Sequence, residues 1–256
     1  MRSAETVRRA IDRRNDGWTQ RAIADELGVG TSSVSRWLKL GVAAITPSRA
    51  LRGGDGCPER CAFREPVGPQ YAYLRGQYLG DGWIGSNWPR GVHRLEISCC
   101  TDYPGIIAEV EQAIGAVLPL NIVGHRPKPG VTLVSSYSKH WPCLFPQHGP
   151  GRKHERPIVL EPWQEAVALD RHPGCLVRGL IHSDGWRGTN RGRGQNGKIY
   201  EYTRYQFCSH SDDVRQLFVD ACERLGVEVK RMNRYDVSVN KRADVARLDE
   251  FVGPKC

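Results

Sequence analysis

One string occurs twice in this chain. Leu74-Arg-Gly-Gln-Tyr-Leu-Gly-Asp81-Gly82 and Val177-Arg-Gly-Leu-Ile-His-Ser-Asp184-Gly185 share an Arg-Gly pair, four intervening residues and an Asp-Gly ending. The two acids lie 103 positions apart in 256 residues. A repeat at that distance implies two similar halves related by a pseudo-twofold axis, each supplying one copy. Each copy is mostly apolar and of helical length. Gly76 and Gly179 lack a Cβ, so two helices can approach closely there. Gly82 and Gly185 stand where a helix C-terminus favours a left-handed residue. Asp81 and Asp184 then fall at the negative ends of two helices, the wrong sign for a carboxylate, and they repel each other. A hard divalent cation between them relieves both penalties. Two acids and Mg²⁺ against a phosphodiester is the chemistry of metal-assisted strand cleavage.

The net charge of +9 favours a polyanionic partner, and the charge is unevenly spread. No Asp or Glu occurs from Gln112 to His154, a stretch that carries Arg126, Lys128 and Lys139. None occurs from Trp186 to Tyr200, which carries Arg187, Arg191 and Arg193. No apolar run is long enough for a membrane span, and no signal-peptide core is present. Nine cysteines in no small-scaffold spacing point to free thiols in a reducing cytoplasm.

Residues 1–40 read as a small helical module. Thr19-Gln-Arg-Ala-Ile-Ala24-Asp-Glu-Leu-Gly28 gives a short helix and a glycine turn, and Thr31 to Lys39 gives a second helix with Val34 and Trp37 inward. This module resembles a helix-turn-helix of the bacterial regulator and resolvase type, which implies that Thr31, Ser32, Ser33, Ser35 and Arg36 face a DNA major groove. Residues 41–70 are a Gly/Pro-rich linker. Cys57 and Cys61 within it have the spacing of half a zinc site, but no second pair with ligand spacing follows nearby, which favours free thiols.

Residues 71–149 and 150–256 read as the two halves, each in the order helix, strand, strand, helix, strand, strand, helix. Val92 to Cys100 alternates as a strand with Leu95 and Ile97 inward; Tyr202 to His210 does so with Tyr205 and Phe207 inward. Tyr103 to Leu118 and Asp212 to Leu225 are amphipathic helices. Trp186 to Gly197 reads as a Gly/Arg/Asn-rich loop, and 227–234 with 235–239 as a hairpin. The endings Ser136-Tyr-Ser-Lys139 and Ser238-Val-Asn-Lys241 lie 102 positions apart, an independent sign of the same repeat.

The doubled string resembles the motif of the LAGLIDADG homing endonucleases, most strongly at the glycine and the closing Asp-Gly. The resemblance covers roughly 71–252. It implies an α+β fold of two pseudo-symmetric αββαββα half-domains whose sheets form a saddle over double-stranded DNA, in a monomer. It also implies Asp81 and Asp184 as metal ligands, Lys139 and Lys241 as the cations beside each active site, and His210 as a residue organising the attacking water. Cys100 stands at the position corresponding to His210, a departure from the family pattern. Outward strand positions, including Arg94, Glu96, Arg204 and Gln206, are expected to read base edges. Arg126, Lys128, Arg187, Arg191 and Arg193 are expected to contact DNA from the basic stretches. The order of helix-turn-helix, Cys-Pro linker and double domain also looks like a set of actinobacterial proteins labelled regulators or endonucleases. A regulator that binds DNA without cutting is the competing expectation.

Overall fold

The computed structural model describes residues 4–41, 68–85, 91–193, 197–253 and 255–256. The expected linker, with Cys57 and Cys61, lies outside the described residues apart from its ends. The chain forms two compact units, Met1–Ala62 and Phe63–Cys256.

In the first unit three helices are described, α1 (Ala4–Asn15), α2 (Gln20–Glu26) and α3 (Thr31–Leu40). Thr19 caps α2, its hydroxyl accepting from the Ala22 amide at 3.2 Å. Gly28 has φ +60°, which lets the chain turn between α2 and α3. Val7, Ala10, Ile23, Ala24, Val34 and Trp37 close the core. Glu26 is held by Arg9 and Arg13, each at 3.1 Å. Along α3, Thr31, Ser32, Ser35 and Arg36 are exposed and Ser33 is half-buried, while Val34 and Trp37 are buried.

The second unit opens with α4 (Gly68–Asp81), β1 (Gly82–Gly85), β2 (His93–Cys100), α5 (Pro104–Val117), β3 (Val123–Lys128), β4 (Val131–Ser138) and α6 (Trp141–Leu144). A connection holding α7 (Pro162–Glu165) and a π-helical turn, Ala166–Arg171, leads to the second set. That set is α8 (Pro173–Asp184), β5 (Gly185–Arg193), β6 (Ile199–Cys208), α9 (Asp212–Arg224), β7 (Lys230–Arg231), β8 (Asp236–Val239) and α10 (Arg242–Asp249). The strands form two antiparallel sheets of the same topology, β1-β2-β4-β3 and β5-β6-β8-β7. The αββαββα order thus occurs twice.

The helices α4 and α8, which carry the repeated string, cross at the core. Every residue from Tyr71 to Leu79 is buried. A methyl group on Gly179 would fall 2.2 Å from the Tyr73 carbonyl oxygen, and one on Gly76 would fall 2.6 Å from the Leu180 amide nitrogen. The two backbones therefore touch where the glycines stand. The arginine before each glycine has a structural place. Arg178 makes a two-pronged contact with Glu109 of α5 at 2.7 and 2.8 Å, and Arg75 is wholly buried beside Tyr71. Each sheet covers this pair with an apolar inner face: Leu95, Ile97 and Val134 in one, Tyr205, Phe207, Val237 and Val239 in the other.

Several local expectations change. Gly82 and Gly185 are not left-handed caps; Gly185 has φ −100° and ψ 171°, and each opens a strand. Glycine is needed there for space, because the strand doubles back on its own helix: a Cβ would lie 2.4 Å from the Tyr78 Cα or 2.6 Å from the Ile181 Cα. The expected loop after Asp184 is instead the nine-residue strand β5, paired with β6 from Gly185↔Phe207 to Arg193↔Ile199. As an edge strand it borrows its regularity from the alternation of β6, which outweighs its glycine content. The expected strand over 227–234 shrinks to β7, because Val227 is buried just after Gly226 closes α9. In the first half β1 is too short to show periodicity, and β3 is an edge strand containing Pro127 with little buried surface.

Candidate functional site

Asp81 and Asp184 end α4 and α8 side by side. Both reach solvent at the rim, yet the two helix ends and their neighbours surround them closely. That enclosure, reinforced by the Asp184 charge, pushes the Asp81 carboxyl up to about 6. Asp184 is raised as well, chiefly by the same enclosure. Gly80 keeps the space between them open, since a Cβ there would fall 2.2 Å from Ser183 Oγ and 3.0 Å from Asp184 Oδ2.

Two lysines not expected beside the acids answer this charge; Lys153 belongs to the acid-free basic stretch before His154, and Lys255 lies near the end of the sequence. Lys153 Nζ donates to the carbonyls of Tyr78, Gly80 and Gly82 at 2.6, 2.5 and 2.9 Å. Lys255 Nζ donates to the Ser183 carbonyl at 3.3 Å. Each ammonium thus caps carbonyls left over at the end of one motif helix and lies in the field of both acids. Burial pulls Lys153 down to about 8, against the upward pull of Asp184 and Asp81. Lys255 is lowered by burial too, with both acids opposing. A signal for this pair was present in the sequence: Gly151-Arg-Lys153 and Gly253-Pro-Lys255 lie 102 positions apart, the spacing already seen for Lys139 and Lys241.

The structure does not bring Lys139 and Lys241 to the acids. Lys139 is exposed just after β4. Lys241 is the exposed N-cap of α10 and pairs with Glu228. The two strand ends keep the repeat spacing, but the chain reaches the helix termini only further on, at Lys153 and Lys255.

Each acid opens into a cleft. On the Asp184 side a cleft of about 490 Å³ is lined by Lys153, His154, Cys208 and His210, among others. His210 is exposed there, its ring 5.5 Å from His154 and 4.3 Å from Tyr235. On the Asp81 side a cleft of about 70 Å³ is lined by Cys99, Cys100, His182 and Lys255. His210 and Cys100 therefore do occupy comparable places, and the two sides differ in both size and chemistry. His182 is neutral in this setting, driven down to about 4 by burial and by Arg178, with its Nε2 3.0 Å from the Val252 carbonyl.

Among the expected DNA contacts, the period-two alternation of the strands decides the faces. Arg94, Glu96, Arg126 and Lys128 share the outer face of the first sheet, where Glu96 meets Arg94 at 3.3 Å and Arg126 at 3.1 Å. Arg204 and Gln206 share the outer face of the second sheet. Arg187, Arg191 and Arg193 fall in the opposite phase of β5. Arg187 is turned to the helix side, where it grips Asp249 of α10 at 2.6 and 2.7 Å, and Tyr205 Oη donates to the same carboxylate at 2.6 Å. Arg191 pairs with Glu201 at 2.5 Å. A loop would have left these three free to face DNA; a strand divides them from Arg204 and Gln206.

The raised acid has a measurable consequence. A carboxyl whose folded pKa exceeds its unfolded value favours folding most at low pH, and that advantage is lost as pH rises from about 4 through 6. Asp81→Asn in EDTA should therefore raise the melting temperature at pH 8 and not at pH 4. With solvent at the rim discounted, the gain is about 1 kcal/mol, or about 3 °C for a unit of this size. Equal melting at pH 8 would show that the acid carries no such penalty.

Comparisons with known proteins bear on the fold. Residues 1–40 match the homeodomain-like domain family. A solved structure of I-DmoI with DNA and Mn superposes with a TM-score of 0.51 at 14% identity, covering 74% of this chain and 99% of that one. A variant of I-DmoI, solved in complex with its target DNA in the presence of Mn, gives 0.51 at 16% identity, with 74% and 97% covered. The LAGLIDADG meganuclease I-AabMI, bound to uncleaved DNA, gives 0.45 at 12% identity, with 71% and 82% covered. No curated protein matches the sequence. The chain has the fold of the LAGLIDADG homing endonucleases, behind an N-terminal homeodomain-like domain. Among the described residues no helix is long and apolar enough to cross a membrane, and the described cysteines are free.

Proposed function

We propose that this protein is a site-specific endonuclease that cuts double-stranded DNA with the help of a divalent cation, Mg²⁺. The observation that carries the reading is the meeting of Asp81 and Asp184 at the ends of two crossing helices. Two carboxylates enclosed side by side, with the charge of Asp184 raising Asp81, are hard donors suited to such an ion. Among the described residues no group of three or more His, Cys, Asp or Glu could hold a metal, so phosphate and water would complete its shell. A bound divalent cation supplies a polarised phosphate oxygen and an activated water. Asp81 and Asp184 are the residues that would hold it. Lys153 and Lys255 set positive charge beside the phosphates, where charge develops during cleavage. His210 orients water on the Asp184 side, a role Cys100 does not match on the other. Lys139 and Lys241 are left as phosphate contacts. Thr31, Ser32, Ser33, Ser35 and Arg36 of the homeodomain-like domain add a second DNA contact, and the protein acts as a monomer with internal pseudo-twofold symmetry, in the cytoplasm.

A second reading, a regulator that binds DNA without cutting, is favoured by one observation: two ammoniums already neutralise two carboxylates. Incubation with a supercoiled library of random targets separates the two. Sequence-restricted cuts with Mg²⁺ and none with EDTA support the endonuclease. Selective retention of some sequences with no cuts supports the regulator.

A further inference from the structure

Lys153 opens a single 3₁₀ turn, Lys153–Glu155, and Lys255 lies beyond α10. Neither stands in a sheet or a long helix, so the carbonyls of the segments that carry them need partners from elsewhere. In each case one arginine supplies several. Arg156 Nε donates to the Gln147 carbonyl at 3.0 Å, and its Nη1 to those of Gly149, Pro150 and Gly151 at 2.8, 3.1 and 3.1 Å. Arg178 Nη1 donates to the Phe251 carbonyl at 3.0 Å and to that of Val252, while its other two nitrogens hold Glu109. Both grips fall just ahead of the lysine. Gly151 and Gly253, with φ +76° and +65°, turn the chain between the gripped carbonyls and Lys153 or Lys255.

The two grips are not copies of each other. The residue equivalent to Arg178 in the first string, Arg75, is wholly buried beside Tyr71. Its task falls to Arg156, which follows Lys153 on the same loop, whereas Arg178 comes to Lys255 from α8. Two non-equivalent arginines thus do the same thing at equivalent points of the two halves. A guanidinium suits the task, because its planar fork of five N–H donors bridges carbonyls that a single ammonium cannot. Lysine is long and flexible, and on an irregular segment its ammonium would spread over many positions. Fixing the backbone just ahead of it removes much of that freedom.

Resting on the reading of Lys153 and Lys255 given above, we infer that Arg156 and Arg178 are positioning residues, each pinning one lysine-bearing segment so that its ammonium stays at the end of a motif helix beside the acids. Arg156 serves Lys153 in the Asp184 cleft, and Arg178 serves Lys255 in the Asp81 cleft.

The test takes two readouts from the full chain. The first needs no cutting: brief acylation of lysines at one pH in EDTA, with each site quantified by mass spectrometry. Arg156→Ala should raise the acylation rate of Lys153 about tenfold and leave Lys255 unchanged. Arg178→Ala should do the reverse. Where Arg178→Ala does not melt cooperatively, Gly253→Ala takes its place, since a Cβ there would lie 2.9 Å from Arg178 Nη1 and disturb the same grip without removing the arginine. The second readout is strand-resolved cutting. Each folded variant should slow one strand about a hundredfold at saturating DNA, with duplex retention within a few-fold of wild type and nicks in opposite strands for the two variants. Unchanged acylation of the gripped lysine, or equal rises at both lysines in each variant, would overturn the inference. Selective rises in acylation with undiminished cutting would uphold the grips and overturn the part given to the lysines in cleavage. A wild type that does not cut would overturn the endonuclease reading, and acylation alone would still decide the grips.

Discussion

Asp81→Asn with Asp184→Asn is expected to abolish Mg²⁺-dependent cutting, by at least about a thousandfold, while retention of duplex DNA stays within a few-fold. The asymmetry follows from where the acids are. They lie at the ends of α4 and α8, whereas the outer sheet faces carry Arg94, Arg126 and Arg204. Removing two negative charges takes away donors for a divalent cation and also takes away repulsion toward phosphate, so affinity should hold or rise. The single variants carry more information. Asp184 opens into the cleft with His210 and Lys153, while Asp81 opens into a much smaller one with Cys100 and Lys255. Loss of one acid should therefore leave a nicked product, and the residual rate should differ between the two variants. Undiminished double-strand cutting by the double variant, measured on the same plasmid as the wild type, would remove the acids from the chemistry.

Gly179→Val is expected to prevent folding of the second unit. Its first added carbon would lie 2.2 Å from the Tyr73 carbonyl oxygen and 3.0 Å from the Gly76 Cα. Neither neighbour is a flexible side chain, so α4 and α8 must separate along the buried run from Tyr71 to Leu79. A cost above about 4 kcal/mol follows. Gly115 is the control. It is also helical, in α5, but a Cβ there meets nothing within 4 Å. Gly115→Ala should raise stability by about 1 kcal/mol through helix propensity. Thermal melts of both variants settle the comparison. A folded Gly179→Val protein melting near the wild type would mean that the helices do not cross at this point.

Much of the second unit follows from two strings and one spacing. Gly76, Gly179, Asp81 and Asp184 are legible because each answers a local demand, a helix crossing or a charge at a helix end, that residue type alone expresses. The inner faces of β2 and β6 are legible because alternation of Leu95 with Ile97, and of Tyr205 with Phe207, is a property of neighbours in sequence. Three things were settled only in three dimensions. Gly82 and Gly185 look like helix caps until the returning strand shows that space, not handedness, requires them. Arg187 looks like a phosphate contact until pairing with β6 turns it toward Asp249, because the face of an edge strand is set by its partner's register. Lys153 and Lys255 keep the repeat spacing but nothing local ties them to the acids, since the carbonyls that hold them belong to residues more than 70 positions away. The sequence by itself determined the repeat, the two helices and the acids, because these depend on local pattern. The tertiary structure decided which cations meet those acids and which side chains face outward, because both depend on where distant segments of the chain come to lie.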